Sequence, residues 1–95
     1  MSSGKVRVIG GAWRGRSIKV ADVLGLRPTA DRTRETLFNC LGQRVDGLTC
    51  LDMFAGTGAL GFESLSRGAK LVYMIEQSPK AHQSIKENYQ LLSQD

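Results

Sequence analysis

The 95-residue sequence has few of the residues that build metal sites. Cys40 and Cys50 do not form a C-x-x-C pair, and the single histidine, His82, lies far from both. A structural zinc site needs four closely arranged ligands, so the sequence predicts no bound metal. Both cysteines are instead expected to be small, buried, apolar residues in a reducing compartment.

Long apolar stretches are also missing. No run approaches the roughly 20 residues of a membrane helix, and the first residues contain no apolar signal-peptide core. These absences predict a cytoplasmic protein without a membrane partner. Hydrophobic residues make up 41% and charged residues 23% of the chain, which is ordinary globular composition and excludes a disordered tail.

Charge is unevenly distributed along the chain. Residues 1–45 contain nine Lys or Arg against three Asp or Glu, a net charge of +6. Residues 46–95 contain four against six, a net charge of −2. A basic half of this kind suggests contact with a polyanion, and nucleic acid is the usual one. A solvated basic surface is the alternative, which the asymmetry alone does not exclude.

Hydrophobic patterning predicts strands that alternate with helices. This order implies a parallel sheet with right-handed crossovers, and both of its central strands are expected to be buried. A parallel sheet needs both faces covered and its edges protected, and two strands leave each with an open edge, so the chain is interpreted as part of a larger domain. The expected elements are a β-hairpin within residues 6–20, a helix over about residues 30–42, a strand at residues 49–54, a helix at residues 59–67, a strand at residues 70–76, and a last helix from Ser78 whose buried face carries Ala81, Ile85, Tyr89 and Leu92.

A G-x-G-x-x-G motif at residues 56–61 lies between a predicted strand and a predicted helix, and Glu76 follows Gly56 by 20 residues. Glycines let the backbone turn tightly and approach a ligand, and the helix presents its positive end. The acid can accept hydrogen bonds from both hydroxyls of an adenosine ribose. This pattern alone fits NAD and S-adenosylmethionine (SAM) about equally.

Asp52, four residues before Gly56, separates these two cofactors. A carboxylate at this place would repel the pyrophosphate of a dinucleotide. It would attract the ammonium and sulfonium groups of SAM, so charge complementarity favours SAM. The alternative is that Asp52 only caps a loop.

Several segments resemble known methyltransferases. Residues 51–61, LDMFAGTGALG, resemble motif I of class I methyltransferases, and residues 74–78, MIEQS, resemble their acidic loop. Residues 8–16, VIGGAWRGR, and residues 26–39, LRPTADRTRETLFN, are more specific. They resemble the opening of the RsmD family, bacterial 16S ribosomal RNA guanine-N2 methyltransferases, and the resemblance extends from about Arg7 to Leu92.

This resemblance implies an α/β fold, the Rossmann-like class I methyltransferase fold, of which the chain would hold the first two central parallel strands. Residues 1–25 would form a basic β-hairpin extension, and residues 26–95 the incomplete first half of the SAM-binding domain. Asp52 and the glycine loop would hold the methionine part of SAM, Glu76 its ribose, and Gln77 would lie beside the adenosine. The full implied cofactor set is Arg27, Thr29, Asp52, Phe54, Ala55, Gly56, Thr57, Gly58, Glu76 and Gln77.

The implied partner is ribosomal RNA of the small subunit. Trp13 could stack on a nucleobase, although a turn anchor that packs the hairpin on the body is the favoured interpretation. The residues expected to contact RNA are Arg7, Trp13, Arg14, Arg16, Lys19 and Arg32.

No catalytic residue is expected in this sequence. The family resemblance implies an Asp/Asn-Pro-Pro-aromatic motif that accepts the target amine, whereas Pro28 and Pro79 are the only prolines and are not adjacent. The sequence therefore predicts the N-terminal half of an enzyme, inactive alone. A fragment of an NAD-dependent oxidoreductase and a non-catalytic RNA-binding piece stay open as alternatives, as does dimerisation through exposed strand edges.

Overall fold

The chain is described from a computed structural model, which covers residues 5–20, 31–53 and 55–94. The order of its elements is the one that hydrophobic patterning predicts, and most elements are one to three residues shorter than expected at an end. The elements are β1 (Lys5–Arg7), β2 (Ser17–Lys19), α1 (Asp31–Cys40), β3 (Thr49–Asp52), α2 (Ala59–Ser66), β4 (Leu71–Met74) and α3 (Pro79–Leu92).

The strands form two separate two-stranded sheets. β1 and β2 pair antiparallel, with Val6 opposite Ile18, which confirms the predicted hairpin. β3 and β4 pair parallel, with Leu51 opposite Tyr73, and α2 lies between them in the chain. The predicted strand–helix–strand unit is therefore confirmed.

Local signals fix the ends of the helices. The Oγ of Ser78 accepts a hydrogen bond from the backbone N–H of Ala81 at 3.3 Å and caps α3, with Pro79 in its first turn. Gly68, just past α2, has φ +105°. This left-handed conformation suits glycine after a helix.

One core joins the hairpin to the helices. Val6 and Ile18 of the hairpin pack with Ala59 and Phe62 of α2 and with Leu92 of α3, and all five are buried. The hairpin is thus part of the packed body. The boundary expected at residue 25 falls outside the described residues.

The buried face of α3 differs from the predicted one. Tyr89 is 49% exposed, whereas Asn88 is 3% exposed. The Asn88 amide accepts from the N–H of Lys19 at 3.0 Å and donates to the carbonyl of Lys19 at 2.9 Å. These bonds satisfy the end of β2, which is why a polar residue takes the buried position.

Only one face of the β3–β4 sheet is covered. Leu51 is 61% exposed and Tyr73 is 53% exposed, and burial alternates along both strands. The expectation of fully buried strands is therefore wrong within the described residues, because α2 packs on one face and no described element packs on the other.

The expectation that both cysteines are buried is also wrong. Cys40 is exposed and Cys50 is half-buried. In α1 the inward positions are Arg34 and Phe38, one turn apart, and a residue two positions beyond Phe38 points to the opposite side of the helix. Within the described ranges, no helix is long and apolar enough to cross a membrane.

Candidate functional site

The glycine loop lies at the carboxyl ends of β3 and β4. The N–H of Ala55 donates to the carbonyl of Ile75 at 2.9 Å, and the N–H of Gly58 returns to the carbonyl of Ala55 at 2.8 Å. Gly56 and Gly58 have φ of +58° and +85°. These left-handed conformations let the chain turn sharply from β3 into α2.

The second and third glycines of the motif also make room for neighbouring side chains. A Cβ on Gly58 would lie 2.9 Å from the ring of Phe62. A Cβ on Gly61 would overlap the side chain of Met74 in β4. The motif therefore brings helix α2 close to the sheet, as the third glycine does in nucleotide-binding folds.

Glu76 ties this loop to the start of α3. Its Oε1 accepts from the N–H of Gly56 at 2.7 Å, and its Oε2 accepts from the N–H of Ser78 at 2.9 Å. A carboxylate has about four acceptor sites, so both oxygens keep a free lone pair. The arrangement can accept hydrogen bonds from a pair of hydroxyls while it holds the loop.

The other predicted cofactor residues differ in burial, and some of them lie outside the described residues. Asp52 is half-buried at the end of β3, and its carbonyl accepts from the N–H of Ile75 at 2.9 Å. Thr57 is buried, and its hydroxyl accepts from the N–H of Ala59 at 3.2 Å. Gln77 is exposed beside Glu76. The structure thus brings Asp52, the glycine loop and Glu76 to one edge, whereas Arg27, Thr29 and Phe54 lie outside the described residues.

The sequence interpretation missed a buried ionic cluster around Glu63 on α2, whose side chain is 0% exposed. One of its oxygens accepts from Arg34 at 2.8 Å and from the N–H of Ile9 at 3.0 Å. The other accepts from Arg67 at 2.8 Å and from the N–H of Gly10 at 2.9 Å. A single carboxylate therefore joins the hairpin, α1 and α2.

The two arginines of this cluster have further partners. Arg34 donates to the carbonyl of Arg7 at 3.1 Å. Arg67 donates to the carbonyl and side-chain oxygens of Gln43 at 2.9 and 3.0 Å, and its guanidinium lies 4.7 Å over the ring of Phe38. Only the spacing of Glu63 and Arg67, one helical turn apart, was readable from the sequence.

The turn of the hairpin docks on the end of α2. The carbonyl of Ser66 accepts a hydrogen bond from the N–H of Ala12 at 2.7 Å, and its hydroxyl accepts one from the N–H of Trp13 at 2.8 Å. Gly11 has φ +80°, and a Cβ there would overlap the Ser66 backbone. The Trp13 ring lies 6.4 Å from that of Phe62 at an angle of 59°. This packing supports the interpretation of Trp13 as an anchor.

The predicted RNA-contacting side chains do not form one patch. Arg7 and Arg14 line a polar groove between the hairpin and α1. Arg16 donates to the carbonyl of Leu91 at 3.2 Å, beside α3. Lys19 is exposed at the end of β2, against α3, and Arg32 is exposed on α1. The basic surface is thus divided between two sides of the hairpin.

One further ion pair lies at the surface, between Arg44 and Asp46. The Arg44 guanidinium donates to the two oxygens of Asp46 at 2.7 and 2.8 Å. The hydrogen bond, with the attraction between the charges, raises the pKa of Arg44. The same hydrogen bond lowers the pKa of the Asp46 carboxyl.

Comparison with known proteins gives a consistent set of relatives. Residues 6–95 match the family described as "Conserved hypothetical protein 95". The chain is 52% identical over 86 residues to ribosomal RNA small subunit methyltransferase D of Escherichia coli K12, covering 90% of this chain and 43% of that protein. The protein of the same name from Haemophilus influenzae is 50% identical over 91 residues, covering 96% and 47%. The chain thus spans a little under half the length of these relatives.

Solved structures agree with the sequence comparison. A putative methyltransferase, yhhF, from Escherichia coli superposes with a TM-score of 0.85 at 49% identity, covering 96% of this chain and 49% of that one. A putative methylase from Haemophilus influenzae gives a TM-score of 0.73 at 43% identity, covering 97% and 47%. The α/β arrangement of the chain is therefore part of a methyltransferase fold.

Proposed function

The chain belongs to the RsmD family, and from this premise we propose that it forms the SAM-binding half of an RNA methyltransferase. The reaction would transfer a methyl group from SAM to the exocyclic N2 of a guanine in 16S ribosomal RNA of the small ribosomal subunit. Relatives named as ribosomal RNA methyltransferases support this substrate. The complete sheet would be the Rossmann-like sheet of class I methyltransferases.

The observation that carries the proposal is the meeting of Asp52, the Gly56–Gly58 turn and Glu76 at one sheet edge. Glu76 would accept the two ribose hydroxyls on the lone pairs that the amides of Gly56 and Ser78 leave free. Asp52 would attract the ammonium group of the methionine part. Gln77 would flank the adenosine, and the expected cofactor contacts of Arg27, Thr29 and Phe54 fall outside the described residues.

The residues present suit a cationic methyl donor better than a dinucleotide. The carboxylate of Asp52 at the end of β3 would repel a pyrophosphate, whereas Glu76 after β4 suits the ribose of either cofactor. When bound, SAM supplies an electrophilic methyl group on a sulfonium. This chain would orient that group toward the base, because a fixed geometry removes much of the entropic barrier to transfer. The guanine amine is a weak nucleophile, and no residue of this sequence is proposed to accept its proton.

Isothermal titration calorimetry with SAM, its demethylated product and NAD tests the proposal. We expect both sulfur compounds to bind and NAD not to bind. Asp52→Asn should weaken SAM binding by about 10- to 150-fold, since a hydrogen bond to a charged group contributes about 1.5–3 kcal/mol. Glu87→Gln, which neutralises an exposed acid on α3, is the control and should bind SAM as the wild type does. Tighter binding of NAD than of SAM would refute the proposal.

A further inference from the structure

We propose that the groove between the hairpin and α1 binds the sugar–phosphate backbone of RNA, with arginines on the phosphates and Glu35 on a ribose 2′-hydroxyl. This inference rests on the proposed function and assigns its RNA contacts to one side of the hairpin. We define the groove by the residues that line it: Arg7, Val8, Ile9, Gly10, Gly11, Arg14, Gly15, Glu35, Asn39, Gln43, Arg44 and Arg67.

The groove is continuous. It consists of two cavities of about 290 and 300 Å³. Ile9, Arg14 and Glu35 line both of them. The two cavities therefore form one depression along the hairpin turn and the exposed side of α1, which can accommodate an extended chain.

Positive charge dominates this groove. Arg7 and Arg14 are exposed, and their guanidinium groups form no ion pair with any other described residue. Arg67 lines the inner wall, where its guanidinium pairs with the buried carboxylate of Glu63. Arg44 adds a further cation at the far end, shared with Asp46. Such a field attracts phosphates.

Glu35 is the one acid among the described residues that line the groove. It is exposed, and no other residue in the described ranges forms a hydrogen bond or ion pair with its carboxylate. A carboxylate only accepts hydrogen bonds, so beside a nucleic acid it needs a donor. The ribose 2′-hydroxyl is a donor that RNA has and DNA lacks. Glu35 among the arginines therefore suits RNA, whereas a purely cationic groove would bind DNA equally well.

The opposite side of the hairpin makes contacts with α3. Arg16 is held by the carbonyl of Leu91. The backbone of Lys19 is held by Asn88 and Ser84 of α3. Arg16 and Lys19 therefore serve as the comparison set in the experiment.

The experiment measures the affinity of the chain for a short single-stranded RNA of mixed sequence and for its deoxy counterpart, by fluorescence anisotropy over a range of NaCl concentrations. Arg7→Gln and Arg14→Gln should each weaken RNA binding and lower the slope of log K against log salt by about 0.7, the value for one lost phosphate contact on a single strand. Lys86→Gln removes an equal charge from the exposed face of α3 and should leave the slope unchanged. Exposed side chains are changed throughout, and circular dichroism should show an unaltered fold.

The Glu35→Gln variant tests whether Glu35 binds the ribose 2′-hydroxyl or only repels the phosphates. We expect it to reduce the preference for RNA over DNA, because a neutral amide oxygen is a weaker acceptor for the 2′-hydroxyl. An equal gain in affinity for RNA and DNA would mean that Glu35 only repels phosphate, and it would overturn its assigned role.

Two outcomes would overturn the proposal that the groove binds RNA. One is that Arg16→Gln and Lys19→Gln weaken RNA binding while Arg7→Gln and Arg14→Gln do not. The other is that the chain binds no RNA. Calorimetry with SAM on the same proteins distinguishes the two proposals. If the wild type binds SAM but the groove variants do not change RNA binding, only the proposed RNA site is refuted. If the wild type does not bind SAM, the proposed function is refuted.

Discussion

Glu63 and Arg34 form an ion pair of 2.8 Å in which the side chains are 0% and 1% exposed. With Arg67 on the other carboxylate oxygen, this pair crosses from α2 to α1 beneath the hairpin. A buried ion pair adds little net stability when both partners are present, but removal of one partner leaves an uncompensated charge. The cluster therefore makes the attachment of the hairpin sensitive to a single residue.

Glu63→Ala should strongly reduce the free energy of unfolding. The change removes an acceptor that two buried guanidiniums share with the amides of Ile9 and Gly10, at a cost of about 3–5 kcal/mol. Urea denaturation followed by circular dichroism measures this loss. Glu87→Ala, at an exposed position on α3, should change stability by less than about 0.5 kcal/mol. Equal effects of the two changes would contradict the role of Glu63.

A comparison of alanine variants at two glycines with nearly the same φ separates the cost of conformational strain from the cost of steric overlap. Gly11 and Gly42 have φ of +80° and +86°. A Cβ on Gly42 meets open space, whereas one on Gly11 overlaps the Ser66 backbone. Gly42→Ala should cost about 1–2 kcal/mol from the left-handed conformation, and Gly11→Ala clearly more. Thermal unfolding of both variants checks this, and a Gly11→Ala protein as stable as the Gly42→Ala protein would exclude the close docking of the hairpin turn.

Elements whose signals are local could be predicted from the sequence. The start of the last helix at Ser78 and the turn at Gly56 each depend on a few neighbouring residues, and both agree with the structure. Asn88 and Glu63 were not predicted, because their burial depends on partners that are distant in the sequence. Lys19 lies 69 residues from Asn88, and Ile9 and Arg34 lie 54 and 29 residues from Glu63. A polar residue in a helix normally lies at the surface. The cofactor and RNA contacts assigned to individual residues stay predictions.

Asn88→Ala should destabilise the junction of α3 with the hairpin. The N–H of Lys19 loses its acceptor, whereas the carbonyl loses one donor and keeps the hydroxyl of Ser84. An unsatisfied buried group costs about 1–3 kcal/mol. Hydrogen exchange of the Lys19 amide measures the local effect. Asn39→Ala, an exposed asparagine on α1, is the control. Unchanged protection of Lys19 in Asn88→Ala would disprove this contact.

Gly61 and Met74 should show an energetic coupling. Gly61→Ala alone forces a methyl group into the Met74 side chain, and the overpacking should lower the melting temperature. Met74→Ala alone leaves a cavity. In the double variant the two defects offset each other, so a double-mutant cycle should give a coupling energy of about 0.5–3 kcal/mol. Strict additivity would show that α2 does not pack against β4 at this position.

The pKa of Asp46 should rise when Arg44 is replaced by Gln. The hydrogen bond from Arg44 lowers the pKa of this carboxyl. Any stability that the pair contributes is therefore present above the unfolded pKa and is lost as pH falls through the folded pKa. Carbon-detected NMR titration of Asp46 in the wild type and in Arg44→Gln measures the shift. High salt should reduce the difference, since both side chains are exposed.

Glu76 is already locked in place by amides on both sides, and this has a consequence for any molecule that it contacts. Ordering a flexible side chain upon association costs about 0.5–1.5 kcal/mol. Here the rotamer is fixed when the strand, the loop and α3 come together during folding. The carboxylate thus presents its remaining acceptor sites in a preorganised array, and the entropic penalty falls on folding and not on ligand capture.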